Sequence, residues 1–258
     1  MITAAQFKEG LAYAEDNFKN ENAPHLKVDK HLIRSKFNLD GYNILDFGCG
    51  MGGMSLWYAK NWDCKVHAVD IDGHHIEVAN VMKEKYHADN VTFEKRNILD
   101  TPLSPKKYDM VFMNDVAEHI PLNILEAIFK ELHNGLKDDG GIFVSYPPWR
   151  SPYASHLNHV IKIPWIQFYP KSFVDKKIDE NNHTIVGDLE SSLREAYYGL
   201  NHLTHDILTT TTAKSGFKPV YRKSHCILNR LPLLGNTNIN FFPFDFLVTK
   251  EFLLLKKK

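Results

Sequence analysis

The stretch from Asn43 to Asp70 constrains this chain more than any other. The run NILDF at 43–47 is short and apolar, and it leads directly into Gly48-Cys49-Gly50-Met51-Gly52-Gly53. Such a run ending on glycines reads as a buried strand feeding a tight turn. Ser55–Lys60 continues as a helix, and KVHAVDI at 65–71 is a second strand that ends near an acid, Asp70. Strand, glycine loop, helix and acidic strand end form the opening unit of a parallel, nucleotide-binding sheet. Glycines at alternate positions leave room for a ligand to approach the backbone, and the helix start behind them offers unpaired N–H groups.

The same alternation continues. Gly73–His87 reads as a helix, VTFEK at 91–95 as a third strand and YDMVFM at 108–113 as a fourth. Leu122–Leu136 is helical until Asp138-Asp139-Gly140-Gly141 stops it, and GIFVSY at 141–146 is a fifth strand. Upstream, residues 3–19 carry an approximate helical stripe, and His31–Phe37 is a second short helix. From Pro147 the character changes: PPWRSPYASHLNHVIKIPWIQFYP holds too many prolines to be one regular element. We read residues 147–200 as an insertion over the carboxyl edge of the sheet. A helix at Asn201–Lys214, a strand at Phe217–Lys223, a long connection from Ser224 to Pro243 and a last strand at Phe244–Lys250 complete the chain. Its Lys256-Lys257-Lys258 end reads as a solvated tail.

At 258 residues and zero formal net charge, the chain has length for one α/β domain but no strong electrostatic handle for nucleic acid. Three widely spaced cysteines give neither a disulfide framework nor a CxxC metal signature. No signal peptide and no membrane span is readable, so a cytoplasmic location is expected by elimination.

Four places along the sheet carry candidate ligand-binding groups. The loop has the spacing acid-x-Gly-x-Gly-x-Gly, starting at Asp46, with Gly48, Cys49 and Gly50 at its centre. Dinucleotide loops space their glycines differently; an acid at Asp46 would repel a pyrophosphate and favour an ammonium group. Asp70, roughly twenty residues past the loop, can accept two ribose hydroxyls; the competing reading is a cap for the next helix, which Asp72 serves as well. Asn97 can bond an adenine edge with Ile98 packed on its face, or be a turn residue. Asn114, Asp115 and His119 follow the fourth strand, where ligands of open α/β sheets sit.

Taken in order, ILDFGCGMGG, HAVDID, FEKRNILD, YDMVFMNDVAEHI and LKDDGGIFVSYPP resemble the class I S-adenosylmethionine-dependent methyltransferases over about residues 40–148. More narrowly they resemble the small-molecule enzymes with a Glu-His segment after the fourth strand. The tail, SGFKPVYRK and FDFLVTKEF, resembles the family's final antiparallel hairpin more loosely. The resemblance implies a Rossmann-like, doubly wound α/β sheet of seven strands, mostly parallel with the last strand antiparallel. It implies one domain: a helical cap at 1–40, a cofactor-binding core at 41–146, an acceptor-binding insertion at 147–200, and a helix and hairpin at 201–258. It implies S-adenosyl-L-methionine as cofactor and S-adenosyl-L-homocysteine as product. Backbone around Gly48 and Gly50 would hold the amino-acid part, with Asp46 orienting the loop or meeting the ammonium. Asp70 would bind the ribose, Ile71, Asn97 and Ile98 would frame the adenine, and Asn114 would sit near the sulfonium. The family often has aspartate where this chain has Asn97; an asparagine carbonyl can still accept from the adenine amino group.

The expected reaction is methyl transfer to a small molecule, most readily at oxygen or nitrogen, in which the protein supplies alignment and, for some acceptors, a base. His119, His156 and His159 are the candidates for that base, against structural or packing roles. Trp149, Tyr153, Trp165, Phe168 and Tyr169 surround the latter two in sequence, an acceptor-binding patch or a loop packed on its own aromatics. His156 and His159 together with His202 and His205 would be a metal cluster only if brought together; no tight ligand spacing supports one, and no metal is expected. The competing class is a non-catalytic module that grips a partner protein through the insertion. Nucleic-acid methylation is disfavoured by the charge and by the lack of an Asn-Pro-Pro-Tyr-type segment after the fourth strand.

Overall fold

A computed structural model of the protein describes residues 2–181, 192–231, 238 and 241–258. Strands and helices alternate because the apolar period alternates. In chain order the elements are α1 (Ala4–Lys19), α2 (Lys27–Lys36), β1 (Asn43–Phe47), α3 (Gly53–Asn61), β2 (Lys65–Asp70), α4 (Gly73–Tyr86) and β3 (Val91–Lys95). There follow β4 (Tyr108–Asn114), α5 (Leu122–Gly135), β5 (Leu136–Tyr146), α6 (Lys171–Glu180), α7 (Leu193–Tyr198), α8 (His205–Lys214), β6 (Phe217–Cys226) and β7 (Val248–Lys257). The seven strands form one sheet in the order β3-β2-β1-β4-β5-β7-β6. The first five pair in parallel, and β7 runs antiparallel to both β5 and β6. This is the doubly wound sheet that the sequence implies.

Side chains alternate faces along each central strand. Ile44, Met110, Phe112 and Phe143 point to one side, where Phe18, Leu32, Ile33, Trp57, Tyr58 and Met82 of α1–α4 cover them. Leu45, Val111, Met113, Ile142 and Val144 point to the other, against Leu125, Phe129 and Leu132 of α5 and Leu208 of α8. With both faces covered, β1, β4 and the carboxyl half of β5 are continuous apolar runs. The insertion has its own apolar cluster, in which Leu157, Ile161, Ile166, Val174, Ile178, Leu193 and Tyr197 are buried.

Several boundaries differ from those expected. The second helix spans Lys27–Lys36 and begins before His31; Leu26 at its cap makes no side-chain hydrogen bond, so no capping residue marks that start in the sequence. The helix expected from Asn201 starts at His205, where Thr204 accepts from the Ile207 amide. Asp138-Asp139-Gly140-Gly141 does not end a helix; it lies inside β5, which begins at Leu136. The last strand was placed too early. Phe244–Leu247 is a 3-10 turn, and β7 runs on through residues read as a solvated tail. Lys257 donates from Nζ to the Leu136 carbonyl at 2.7 Å. Long stems along the sheet edge with their ammonium groups on backbone carbonyls make Lys256 and Lys257 strand residues. Much of the expected connection 224–243 lies outside the described residues.

The parallel register sets up the site. Phe47 pairs with Val69 and Asp46 with Phe112, so the turns after β1, β2 and β4 emerge at one edge of the sheet. Strand order reverses at β1, whose neighbours β2 and β4 lead outward in opposite directions, and that is where an open sheet leaves a crevice. Among the described residues no helix is long and apolar enough to cross a membrane. Phe129 on α5 is fully buried, its ring edge-on to that of Phe217 on β6. Phe129→Ala should destabilise the fold by about 3–5 kcal/mol, read as a lower urea midpoint at unchanged slope.

Candidate functional site: an acidic cleft at the carboxyl edge

The cleft lies where the crevice is expected. Asp46, Gly48, Cys49, Gly50, Asn114 and Asp115 line its floor and one wall, and Tyr13, Asn17, His25 and Leu26 line the other. Of the sequence-derived site residues, these first six are therefore brought together. Tyr13 and His25 close the rim: their rings stack at 5.6 Å, and Tyr13 Oη lies 3.1 Å from His25 Nε2.

The glycine loop is tied to the second strand from behind. The Gly48 and Cys49 amides donate to the Val69 carbonyl, and the Gly50 amide donates to Asp70 Oδ2 at 2.8 Å. Gly48 has φ +73°, and a Cβ there would lie 2.5 Å from Val116 Cγ2, so any side chain would push the loop off the turn after β4. Gly50 has φ +52°, and a Cβ there would meet open space. It is a cradle kept open rather than a packed turn.

Asp46 is buried, and its Oδ2 accepts from Ser55 Oγ at 2.5 Å. Burial pushes its carboxyl up to about 7, with the Ser55 hydrogen bond working against that shift. Asp70 is different. Burial opposes its charge, yet His75 and the amides of Asp72 and Gly50 hold it below the ordinary carboxylate range. It therefore carries charge beside the loop. Ile71, next to it, is 73% exposed, and Asn97 is exposed with its side chain in an Asx turn, accepting from the Leu99 amide at 3.1 Å. Ile98 does not point toward the cleft region; its side chain is buried in the core beneath β2 and β4.

Asn114 and Asp115 belong to a polar network that sequence reasoning did not assemble. Lys250 Nζ lies 2.7 Å from Asp29 Oδ2 and 2.6 Å from Asp115 Oδ2. Asp29 Oδ1 accepts from Ser145 Oγ at 2.5 Å and from Asn114 Nδ2 at 3.1 Å, and Tyr58 donates to Asn114 Oδ1 at 2.9 Å. Burial disfavours the Lys250 charge, but the two carboxylates overcome it and raise its pKa well above that of an ordinary lysine. Asp29 on α2 and Lys250 on β7 carried no local motif. The one available hint was a lysine within the otherwise apolar-leaning strand segment FLVTKEF.

The candidate bases fall elsewhere. His119 closes a 3-10 turn, Ala117–His119, beyond Asp115, and its ring lies 4.8 Å from that of His156. His156 is largely buried, and burial with His119 nearby pushes its imidazole down to about 3. His159 is exposed. The four-histidine cluster does not form: His202 stacks on Trp149 at 3.9 Å, and His205 Nδ1 lies 2.7 Å from Glu251 Oε1. Nor do the insertion aromatics enclose His156 and His159 as one patch. Trp149 packs against the insertion's own apolar cluster, Trp165 Nε1 donates to the Phe246 carbonyl, and Tyr169 stacks on Phe173.

Two acids line the cleft, and among the described residues no lysine or arginine does. Lys250 is shared between Asp115 and Asp29, so one carboxylate of that pair stays unbalanced, and Asp46 adds charge once ionised; a cation suits this cleft better than a pyrophosphate.

Comparison with known proteins gives a consistent set. The family described as methyltransferase domain matches residues 38–196. Sterol 24-C-methyltransferase of Candida albicans is 29% identical over 136 residues, 52% of this chain and 34% of that one. Phosphoethanolamine N-methyltransferase of Plasmodium falciparum is 24% identical over 121 residues, 46% of this chain and 44% of that one. The matched segment thus spans 34% to 44% of the length of these relatives. Among solved structures, geranyl diphosphate C-methyltransferase from Streptomyces coelicolor, in complex with Mg2+, geranyl-S-thiolodiphosphate and S-adenosyl-L-homocysteine, superposes with a TM-score of 0.60. It covers 90% of this chain and 76% of that one at 15% identity, a likeness of fold.

Removing the Lys250 cation leaves two carboxylates facing each other in a buried site. Lys250→Met should cost about 3–5 kcal/mol at neutral pH, and adding Asp29→Asn should recover part of it. Urea unfolding of the single and double variants measures both; a single variant as stable as wild type would remove the network from its structural role.

Proposed function

The chain belongs to the class I S-adenosylmethionine-dependent methyltransferases, and on that premise we propose that it transfers the methyl group of S-adenosyl-L-methionine to a small-molecule acceptor. The observation that carries this reading is the charge of the cleft: a glycine cradle open at Gly50, between Asp46 and Asp115, with no lysine or arginine lining it among the described residues. S-adenosylmethionine, when bound, supplies a methyl group activated on a positive sulfur, and it also carries an ammonium group. A cleft lined by carboxylates suits both charges.

The residues of the chain then divide the work. The open backbone around Gly48 and Gly50 and the Asp46 carboxylate hold the amino-acid end. Asp70, already ionised and fixed by two backbone amides, accepts the ribose hydroxyls. Ile71 covers one face of the adenine, and Asn97 bonds its edge. Ile98 contributes through its backbone and by packing beneath, since its side chain is in the core. Asn114, held by Tyr58 and Asp29, sets the wall next to the sulfur. The acceptor enters from the insertion side, past His156 and His119. What supports small molecules as a class is the relatives, which are named as a sterol and a phosphoethanolamine methyltransferase.

The test is calorimetric titration with S-adenosyl-L-homocysteine. Wild type should bind, and Asp70→Ala should lose about 1.5–3 kcal/mol, roughly 10–150-fold in affinity. Unchanged affinity in this variant would rule out the site as drawn.

A pH dependence follows from Asp46. Below about 7 the free protein holds a proton on this carboxyl. Binding an ammonium favours the ionised form, so that proton must leave, and affinity falls as pH drops below about 7. The fall approaches about tenfold per pH unit for one coupled proton. Titrations across this range should show the slope in wild type and a flatter profile in Asp46→Asn.

A further inference from the structure

Beyond the cleft, the turn after β4 and the insertion build a second cluster of chemically capable groups. Glu118 is 3% exposed, and both of its carboxylate oxygens are buried with no hydrogen-bond partner. His119 is the next residue, on the exposed side of the same turn. His156 arrives from the insertion, its Nε2 3.8 Å from Glu118 Oε1. One donor atom from each of the three lies within 4.8 Å of the other two, and among the described residues no other such trio of metal-ligating side chains occurs.

The backbone of this cluster is held deliberately. Asn201 clamps the turn from outside: its Nδ2 donates to the Ala117 and Ile120 carbonyls at 2.7 and 2.6 Å, and its amide donates to the Glu118 carbonyl at 2.9 Å. His156 sits at φ +56°, a conformation uncommon outside glycine, and there its ring faces Glu118 and His119. A buried carboxyl group without partners is costly, and buried polar groups are almost always satisfied. The two imidazoles beside this carboxyl group are the side chains with which it could share a cation.

We infer that Glu118, His119 and His156 form a binding site for a divalent transition-metal ion of the zinc class. Two imidazole nitrogens with one carboxylate oxygen suit Zn2+ or Co2+ over Mg2+ or Ca2+, which prefer oxygen ligands alone. Bond lengths of about 2.0–2.2 Å place tetrahedral ligand atoms roughly 3.4 Å apart. The trio therefore has to close by a little over an ångström, which rotation of the side chains achieves while Asn201 holds the turn. Three protein ligands leave a fourth position open, the pattern of sites that take a substrate or water. Resting on the methyl-transfer reading of the neighbouring cleft, that position would hold an oxygen of the acceptor. The acceptor class is then an oxygen nucleophile, a hydroxyl whose pKa a bound metal would lower. That hydroxyl would release its proton to solvent, its oxygen would form the new O–CH3 bond, and the cofactor sulfur would keep the electron pair of the broken S–CH3 bond, leaving as the neutral thioether.

The experiment is a cobalt(II) titration of the full chain after treatment with chelator, read by visible absorption, alongside S-adenosyl-L-homocysteine calorimetry on the same samples. Wild type should take up one Co2+ per chain with the intense bands of a four- or five-coordinate site, and Zn2+ should displace it. Glu118→Gln and His119→Ala should each lose at least the ~10–100-fold in affinity that loss of even an outer-shell partner costs. His119 is exposed, so its variant tests the site while leaving the apolar core intact, and His159→Ala, near His156 in the insertion but outside the trio, should bind Co2+ like wild type. No uptake, or uptake unchanged in both Glu118→Gln and His119→Ala, overturns the metal site even where cofactor binding is intact. Failure of wild type to bind S-adenosyl-L-homocysteine overturns the methyl-transfer reading and leaves the metal result to stand or fall by itself.

Discussion

One buried ammonium organises the cleft. Lys250 on β7 meets Asp29 on α2 and Asp115 in the turn after β4, three positions separated by most of the chain. None of these charges could be buried alone, because taking an isolated ion out of water costs far more than a fold can recover. Their mutual satisfaction therefore dictates that α2 lies across the β4 turn and that β7 reaches the carboxyl edge of the sheet. An ion pair of this kind often adds little stability over packed apolar side chains of the same volume. What it contributes is position. Ser145 and Asn114 join it through Asp29, and Tyr58 joins through Asn114, so α3, β4 and β5 are tied to the same point.

The cleft that results carries more carboxylates than cations. Lys250 balances one of Asp29 and Asp115 but not both, and Asp46 and Asp70 stand across the glycine loop. The two loop acids are tuned in opposite directions. Asp70 is held charged by His75 and backbone amides, whereas Asp46 is buried with only Ser55 for company and titrates near physiological pH. One acid stays ionised through the neutral range; the other titrates within it. Farther out, Glu118 with His119 and His156 forms a second polar centre on the insertion side.

Much of this was legible before any coordinates. The glycine loop and Asp70 specify themselves locally, because close backbone approach admits only glycine and because a strand end fixes where its last side chain points. The parallel core from β1 to β5 followed from alternating apolar periods. Boundaries were lost where a side chain far away decides them. Asn201 reads as the start of a helix, but it is spent clamping the Ala117–Ile120 turn. Lys256 and Lys257 read as a tail, but their stems lie along β7 and their ammonium groups find carbonyls. Two histidine pairs, His156 with His159 and His202 with His205, would form a cluster only if folding brought them together, and it does not: His202 stacks on Trp149 and His205 pairs with Glu251.

By itself the sequence determined the sheet, the loop that opens it and the acids at its strand ends, since these depend on periodicity and backbone geometry within a few residues of each other. Only the tertiary structure decided which charges share the interior. Asp29, Asp115 and Lys250 form one network, and Glu118, His119 and His156 another, because folding brings together residues whose separation along the chain carries no local signal. A buried charge must find its counterpart, but the chain does not announce where along its length that counterpart lies.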